Sequence, residues 1–303
     1  MSTSALLMLL TGRSGQTPGG TVFEAVGSLT GNWMAATVAP NGDVYFGNRS
    51  YSNIYKKAAG DTLFSAFGSA MGAWRAAAST PNGDVYCGSN NGNIYRMANG
   101  GTDFVAVGST TGYWYCATAA PDGTVYFANG ENGNIYKKAT ADSVFTAVGS
   151  LTGRWNAAAV APNSDVYFGS TGGNIYKLAS GGSVFVAVGS LTGAWDAAAA
   201  APNGDVYFGD NTPGNIYKLI NGGSAFSAVG SFTGAWGSAT AAPNGDMYFG
   251  DSTPGKIYKL ANGGSVLSAV GNLTGIWSAA AAAPNGDVYF SDNTPGNIYR
   301  KAA

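Results

Sequence analysis

Seven tryptophans, Trp33, Trp74, Trp114, Trp155, Trp195, Trp236 and Trp277, are each followed by a residue that differs between copies: Met34, Arg75, Tyr115, Asn156, Asp196, Gly237 and Ser278. An indole has a broad apolar face and one N–H donor, so these rings suit either stacking on sugars or wedging between packed sheets as core. A position that serves packing alone would not obviously tolerate a range from glycine to arginine. Arg75, Tyr115, Asn156 and Asp196 are therefore ligand-contact candidates, with drift at an exposed site as the alternative. Asp210, Asp251 and Asp292 open Asp-[Asn/Ser]-Thr-Pro-Gly segments and join the candidate set. They occur singly, without the carboxylate density or EF-hand spacing of a calcium site.

Other recurrent groups read as structural. Asp43 and its counterparts through Asp287 follow an Asn-Gly turn, where a carboxylate is expected to hydrogen-bond the turn. Lys56, Arg96, Lys137, Lys177, Lys218, Lys259 and Arg300 each follow an Ile-Tyr pair and are expected to be solvated or paired with those aspartates. The 303 residues include no histidine, which removes the usual general base and the commonest metal ligand. No catalytic residue, metal or cofactor is expected, and the chain reads as a binder rather than an enzyme. A net charge of −1 provides no basic field for phosphates, so nucleic acid is not an expected partner. Cys87 and Cys116 stand where other copies have Phe or Ala, and read as buried apolar substitutes.

The elements that hold these residues repeat. Successive tryptophans are 41, 40, 41, 40, 41 and 41 residues apart, a period that indicates a radial or stacked array. Each copy alternates four short apolar runs with turns such as Asn203-Gly204, a strong hairpin signal. The run after each Trp is rich in alanine, as small residues must be where inner strands crowd an axis. A helix is the rival for these runs, but each ends at proline after about seven residues. The expected fold is all-β: a seven-bladed β-propeller of four-stranded antiparallel blades over residues 21–303. The chain enters at an outer-type strand, Thr21–Gly27, and ends at a third-type strand, Asn297–Lys301. The first strand is therefore expected to complete the last blade and close the ring.

One face of such a propeller has tight, uniform turns. The other has longer, varied loops, and the residues after each Trp lie at its channel mouth. Residues 1–20 precede the array and include Leu6, Leu7, Met8, Leu9 and Leu10, an apolar arm expected to dock on a protein partner. This apolar stretch is too short to span a bilayer, and no export signal is recognised.

Ile-Tyr-Lys, Phe-x-Ala-Val-Gly-Ser, Trp and Asp-Val-Tyr-Phe, repeated over residues 21–303, resemble the tectonin and tachylectin lectin propellers. The resemblance implies carbohydrate binding at several equivalent positions. The Pro-Asn-Gly-Asp-Val-Tyr unit is similar to NHL and gluconolactonase-like propellers, and the latter imply an acidic metal site at the channel. Its Glu, Asn and Asp set is not found here, where Glu24 and Glu131 are the only glutamates. The composition resembles bacteriophage tail and particle-surface proteins. The leading expectation is a non-enzymatic adhesion or decoration module for glycans or a cell surface, within an assembly such as a phage particle. A structural plug or spacer is the alternative, and a metal-dependent lactonase-like hydrolase the third reading.

Overall fold

The computed structural model describes residues 20–303. The predicted arm with Leu6, Leu7, Met8, Leu9 and Leu10 lies outside the described residues. The chain forms an all-β propeller, and every strand pairs antiparallel with its neighbour. The alanine-rich runs are strands, for example Trp33–Val38 and Trp277–Ala282.

The expectation of seven separate four-stranded blades is corrected by the hydrogen bonding, which joins the strands into six sheets. Five have four strands and one has six. The six-stranded sheet spans the fourth and fifth repeats. Its strand Val186–Ala200 pairs with Val166–Leu178 along its first part and with Val206–Asp210 along its second. It stays continuous because Thr171 pairs with Ala194, so the connection between the two repeats is itself strand. Each of the seven repeats still places one Trp-headed strand at the axis, and strand Trp277–Ala282 packs back against Trp33–Val38. Glu24–Gly31 pairs with Gly296–Lys301, so the outer edge of the last sheet comes from the start of the described chain.

Core lies between consecutive repeats. Trp195, Val206 and Phe208 of the fifth repeat pack with Ala157, Tyr167 and Ile175 of the fourth. Close approach needs glycine here: a Cβ on Gly209 would sit 2.4 Å from Cβ of Trp236 in the next repeat. Outer strands shorten along the chain, from eight residues in Thr146–Gly153 to two in Ser227–Ala228. The long ones carry a register shift, such as that between Asn134 and Tyr136, which breaks up an exposed edge that could otherwise pair with another chain.

Candidate functional site

Side chains alternate along each inner strand, so every second residue faces the axis. The residue after each Trp forms one ring at the channel mouth: Met34, Arg75, Tyr115, Asn156, Asp196, Gly237 and Ser278. Two residues on, seven alanines form the next ring, from Ala36 and Ala77 round to Ala239 and Ala280. The following layer includes Ser79, Ala119, Val160, Ala200 and Ala241, and the far mouth is lined by Pro40, Pro81, Pro121, Pro162 and Pro202. The side chains that line the channel are thus polar and varied at one end and mostly alanine and proline along the rest.

A second ring overlies the mouth. Arg49, Asn90, Gly130, Thr171, Asn211, Ser252 and Asn293 each donate a backbone N–H to the carbonyl of the residue before the tryptophan of the same repeat, at 2.6–2.9 Å. The hydrogen bond is constant while the side chain varies. Asn211, Ser252 and Asn293 line a cavity of about 170 Å³ with Arg75, Tyr115, Asn156 and Asp196. Sequence reading missed these three because the carboxylate just before each drew attention instead. The signal was present, since this position also varies between repeats, from glycine to arginine.

The ordered arc of the mouth runs from Arg75 to Ser252. The Arg75 guanidinium lies 3.4 Å from the Tyr115 ring centroid, a cation–π stack. Tyr115 Oη donates to Glu131 Oε1 at 3.4 Å. Asn156 Nδ2 donates to Asp196 Oδ1 at 2.8 Å, and Asn211 Nδ2 donates to Asp196 Oδ2. Ser252 Oγ in turn donates to Asn211 Oδ1, fixing that amide's orientation. Burial raises the Asp196 carboxyl above the ordinary aspartate range, and the two amide hydrogen bonds and the nearby Arg75 and Arg154 offset part of that rise. Arg75 Nε, Asn156 Oδ1 and Asn90 Oδ1 are buried without a protein partner. Buried polar groups are rarely left unpaired, so their clustering sets this end of the channel apart.

Arg75, Tyr115, Asn156 and Asp196 are therefore brought together, and the other candidates are not. Trp33, Trp74, Trp114, Trp155, Trp195, Trp236 and Trp277 are 0% exposed, which corrects their reading as sugar platforms. Each indole N–H donates to a carbonyl of the preceding repeat, as Trp195 Nε1 does to Gly173 O at 2.8 Å, and Trp33 to Gly296 O at 2.9 Å across the closure. Asp210, Asp251 and Asp292 do not line the cavity at the mouth, and Oδ1 of each is engaged by neighbouring backbone and threonine groups. Asp210 Oδ1 accepts from Thr212 N at 3.0 Å, Thr212 Oγ1 at 2.6 Å and Ala194 N at 3.1 Å. Asp251 and Asp292 accept in the same way from Thr253 and Thr294.

At the opposite face Asp43, Asp84, Asp165, Asp205, Asp246 and Asp287 pair with the predicted cations at 2.5–2.8 Å. Both cysteines are buried and unbridged, and burial pushes their thiols up. Among the described residues no three Cys, Asp or Glu side chains come together as a metal site, and no helix is long and apolar enough to cross a membrane.

No protein-family model matches the sequence, and no curated protein matches it. Solved structures do. A streptogramin B lyase superposes with TM-score 0.77 at 13% identity, covering 95% of this chain and 100% of its own. A catalytically inactive histidine-to-alanine variant of virginiamycin B lyase from Staphylococcus aureus, with quinupristin, gives 0.75 at 12%, covering 93% and 99%. A chain of the mitotic checkpoint complex gives 0.74 at 13%, covering 100% of both. These likenesses establish the propeller fold. The expected adhesion or decoration role for glycans is corrected by the burial of the indoles that were to stack on sugars, and the superposed structures include lyases.

Proposed function

We propose that the channel mouth is an acid–base site acting on a small ester or lactone without a metal. The observation that supports this is Asp196: a carboxyl with a raised pKa, held by two amides beside the unsatisfied donor of Arg75. Such a group is poised to exchange protons nearer neutrality than an ordinary aspartate. Arg75 polarises the acyl oxygen and stabilises the charge that develops there. Asp196 takes a proton from the attacking water and returns it to the alkoxide as the C–O bond breaks. The streptogramin B and virginiamycin B lyases share the fold, but this chain has no histidine and so no counterpart of the residue replaced in the inactive variant. Its chemistry must rest on other groups.

The test is turnover of a panel of chromogenic acyl esters and γ-lactones by the whole protein. Asp196→Asn should lower kcat/KM at least about 100-fold with the fold intact by circular dichroism. Absence of turnover by the unaltered protein across the panel, or an Asn variant as active as the parent, overturns the reading.

A second reading, protein docking at the outer rim, is favoured by the exposed side chains of Val105, Val184, Val186 and Val266. A propeller within the mitotic checkpoint complex is consistent with it.

A further inference from the structure

Lys138, far from the channel mouth, is a nucleophile that the acid–base chemistry does not use. The residue that follows Ile-Tyr-[Lys/Arg] in each repeat is Lys57, Met97, Lys138, Leu178, Leu219, Leu260 or Lys301. Met97, Leu178, Leu219 and Leu260 are core, packed against the preceding repeat. Lys138 is buried in the same slot, at the end of the strand Gly133–Lys138. Lysine is seldom buried unless it is paired. Among the described residues Lys138 has no carboxylate in ion-pair contact. Its Nζ donates to the Ala139 carbonyl at 3.3 Å and lies 6.0 Å from the Tyr86 ring centroid.

Desolvation and a neighbouring cation are the two conditions that leave an amine neutral enough to attack a carbonyl, and both hold here. Burial lowers the Lys138 pKa and the Arg96 guanidinium lowers it further, while Asp142 and Asp84 oppose them. Both carboxylates are engaged elsewhere. Asp142 Oδ2 accepts from the Ala139 amide at 3.0 Å, and Asp84 Oδ2 accepts from Arg96 Nε at 2.9 Å. Arg96 and Lys138 line one cavity of about 460 Å³ between the second and third repeats, together with Val105, Val107, Asp103 and Asp142. Asp103 is in turn held by the Ser69 amide at 2.8 Å.

We propose that Lys138 is a reactive amine and that this cavity takes a small apolar aldehyde, held covalently as an imine. The unprotonated Nζ adds its lone pair to the carbonyl carbon. The C=O π pair takes up a proton as the carbinolamine hydroxyl, and water leaves as the C=N bond forms. Amine and aldehyde thus give imine and water, with no oxidant or reductant. Val105 and Val107 suit the alkyl group. Lys57 is an internal comparison: burial and Arg300 lower its pKa in the same way, but the cavity at its own seam is lined by Arg300 without Lys57.

The experiment is reductive trapping of the whole protein at pH 7 with butanal or acetaldehyde and cyanoborohydride, the labelled lysines being located by tandem mass spectrometry. Lys137, next in the chain and outside the cavity, is the reference. Butanal should label Lys138 at least about fivefold faster than Lys137. The ratio of Lys138 to Lys137 label should be higher with butanal than with acetaldehyde by about tenfold, the worth of two buried methylenes. Arg96→Gln keeps a donor for Asp84 and removes the cation, so it should slow labelling of Lys138 at least about twofold, move its pH curve upward and leave Lys137 unchanged. Equal labelling of Lys138 and Lys137 overturns the reactive amine. Label on Lys138 that gains nothing from butanal over acetaldehyde, or equal label on Lys57, overturns the aldehyde cavity.

Discussion

Asp196 and Asp205 belong to the same repeat and lie at opposite ends of its inner hairpin, yet their surroundings differ in kind. Asp205 sits in an arrangement repeated around the ring. Its Oδ2 accepts from Lys218 Nζ at 2.8 Å and Asn203 Nδ2 at 3.1 Å, and its Oδ1 from the Asn221 amide at 2.9 Å. Burial opposes its charge, but the Lys218 bond, the backbone amide and Asn203 prevail and hold it below the ordinary carboxylate range. Asp196 has no repeat-wide equivalent. Its pKa moves the other way, because two neutral amides do not compensate the burial. A carboxylate that every repeat rebuilds with the same partners serves the turn; one that occurs once, incompletely compensated, is where stability has been given up to a site.

The sharpest test of that contrast is removal of each carboxylate. Asp205→Ala strips three hydrogen bonds and leaves Lys218 without its counter-ion, so unfolding should become easier by about 2 kcal/mol. Asp196→Asn should do the reverse and stabilise by about 1 kcal/mol. Its new amide can be accommodated because Asn156, whose Oδ1 has no partner, is free to turn and accept from it, whereas Asn211 is held by Ser252. Thermal unfolding at pH 7 measures both. Opposite signs support the division into structural and functional aspartates, and destabilisation by both variants would break it.

Acid should erase the two effects from opposite directions. The Asp205 pKa is depressed in the fold, so its contribution is present above the unfolded value of about 4 and is lost as pH falls through the folded value. The Asp196 pKa is raised in the fold, so the native state binds the proton more readily. Its penalty appears as pH rises through the window from about 4 up to the folded value and is fully present above it. The stability gain of Asp196→Asn should therefore vanish below about pH 4, as the loss from Asp205→Ala shrinks. A gain that persists at pH 3 would show that ionisation of Asp196 is not its source.

Much of this was readable from spacing. The tryptophan period, the Asn-Gly hairpins and the phase of the first and last strands determine a radial array closed by its own N-terminal strand. Divergence after Trp pointed to Arg75, Tyr115, Asn156 and Asp196 because a constant backbone slot with a varying side chain is not under packing control alone. The merging of the fourth and fifth repeats into one sheet was not readable, since it depends on the pairing of Thr171 with Ala194 across a connection that looks like a loop in sequence. The fate of the indoles was also undetermined, because stacking platform and core wedge require the same residue. The partner of Trp195 Nε1, a carbonyl at Gly173, lies 22 residues upstream in another repeat. Asn211 went unnoticed since its role as a donor to Asp196 appears only when the loop after Val206–Asp210 folds back over the inner strand with which that strand pairs.

The third repeat supplies the smallest test, because it is a natural deletion of the structural unit. It reads Asp122-Gly-Thr124 where the fifth reads Asn203-Gly-Asp205, and Lys137 occupies the cation's position. Asp122 Oδ1 accepts from the Thr124 amide at 2.8 Å, as Asn203 Oδ1 does from Asp205 N at 3.0 Å, so the turn itself is kept. Thr124→Asp alone would place two carboxylates side by side without the Asn amide that normally donates to the second. Thr124→Asp combined with Asp122→Asn restores the whole arrangement and should stabilise by about 0.5–1 kcal/mol, more than the sum of the single changes. A double-mutant cycle read by thermal unfolding measures the coupling. Coupling near zero would mean that the Asn amide at the other six turns adds nothing measurable to the aspartate it donates to.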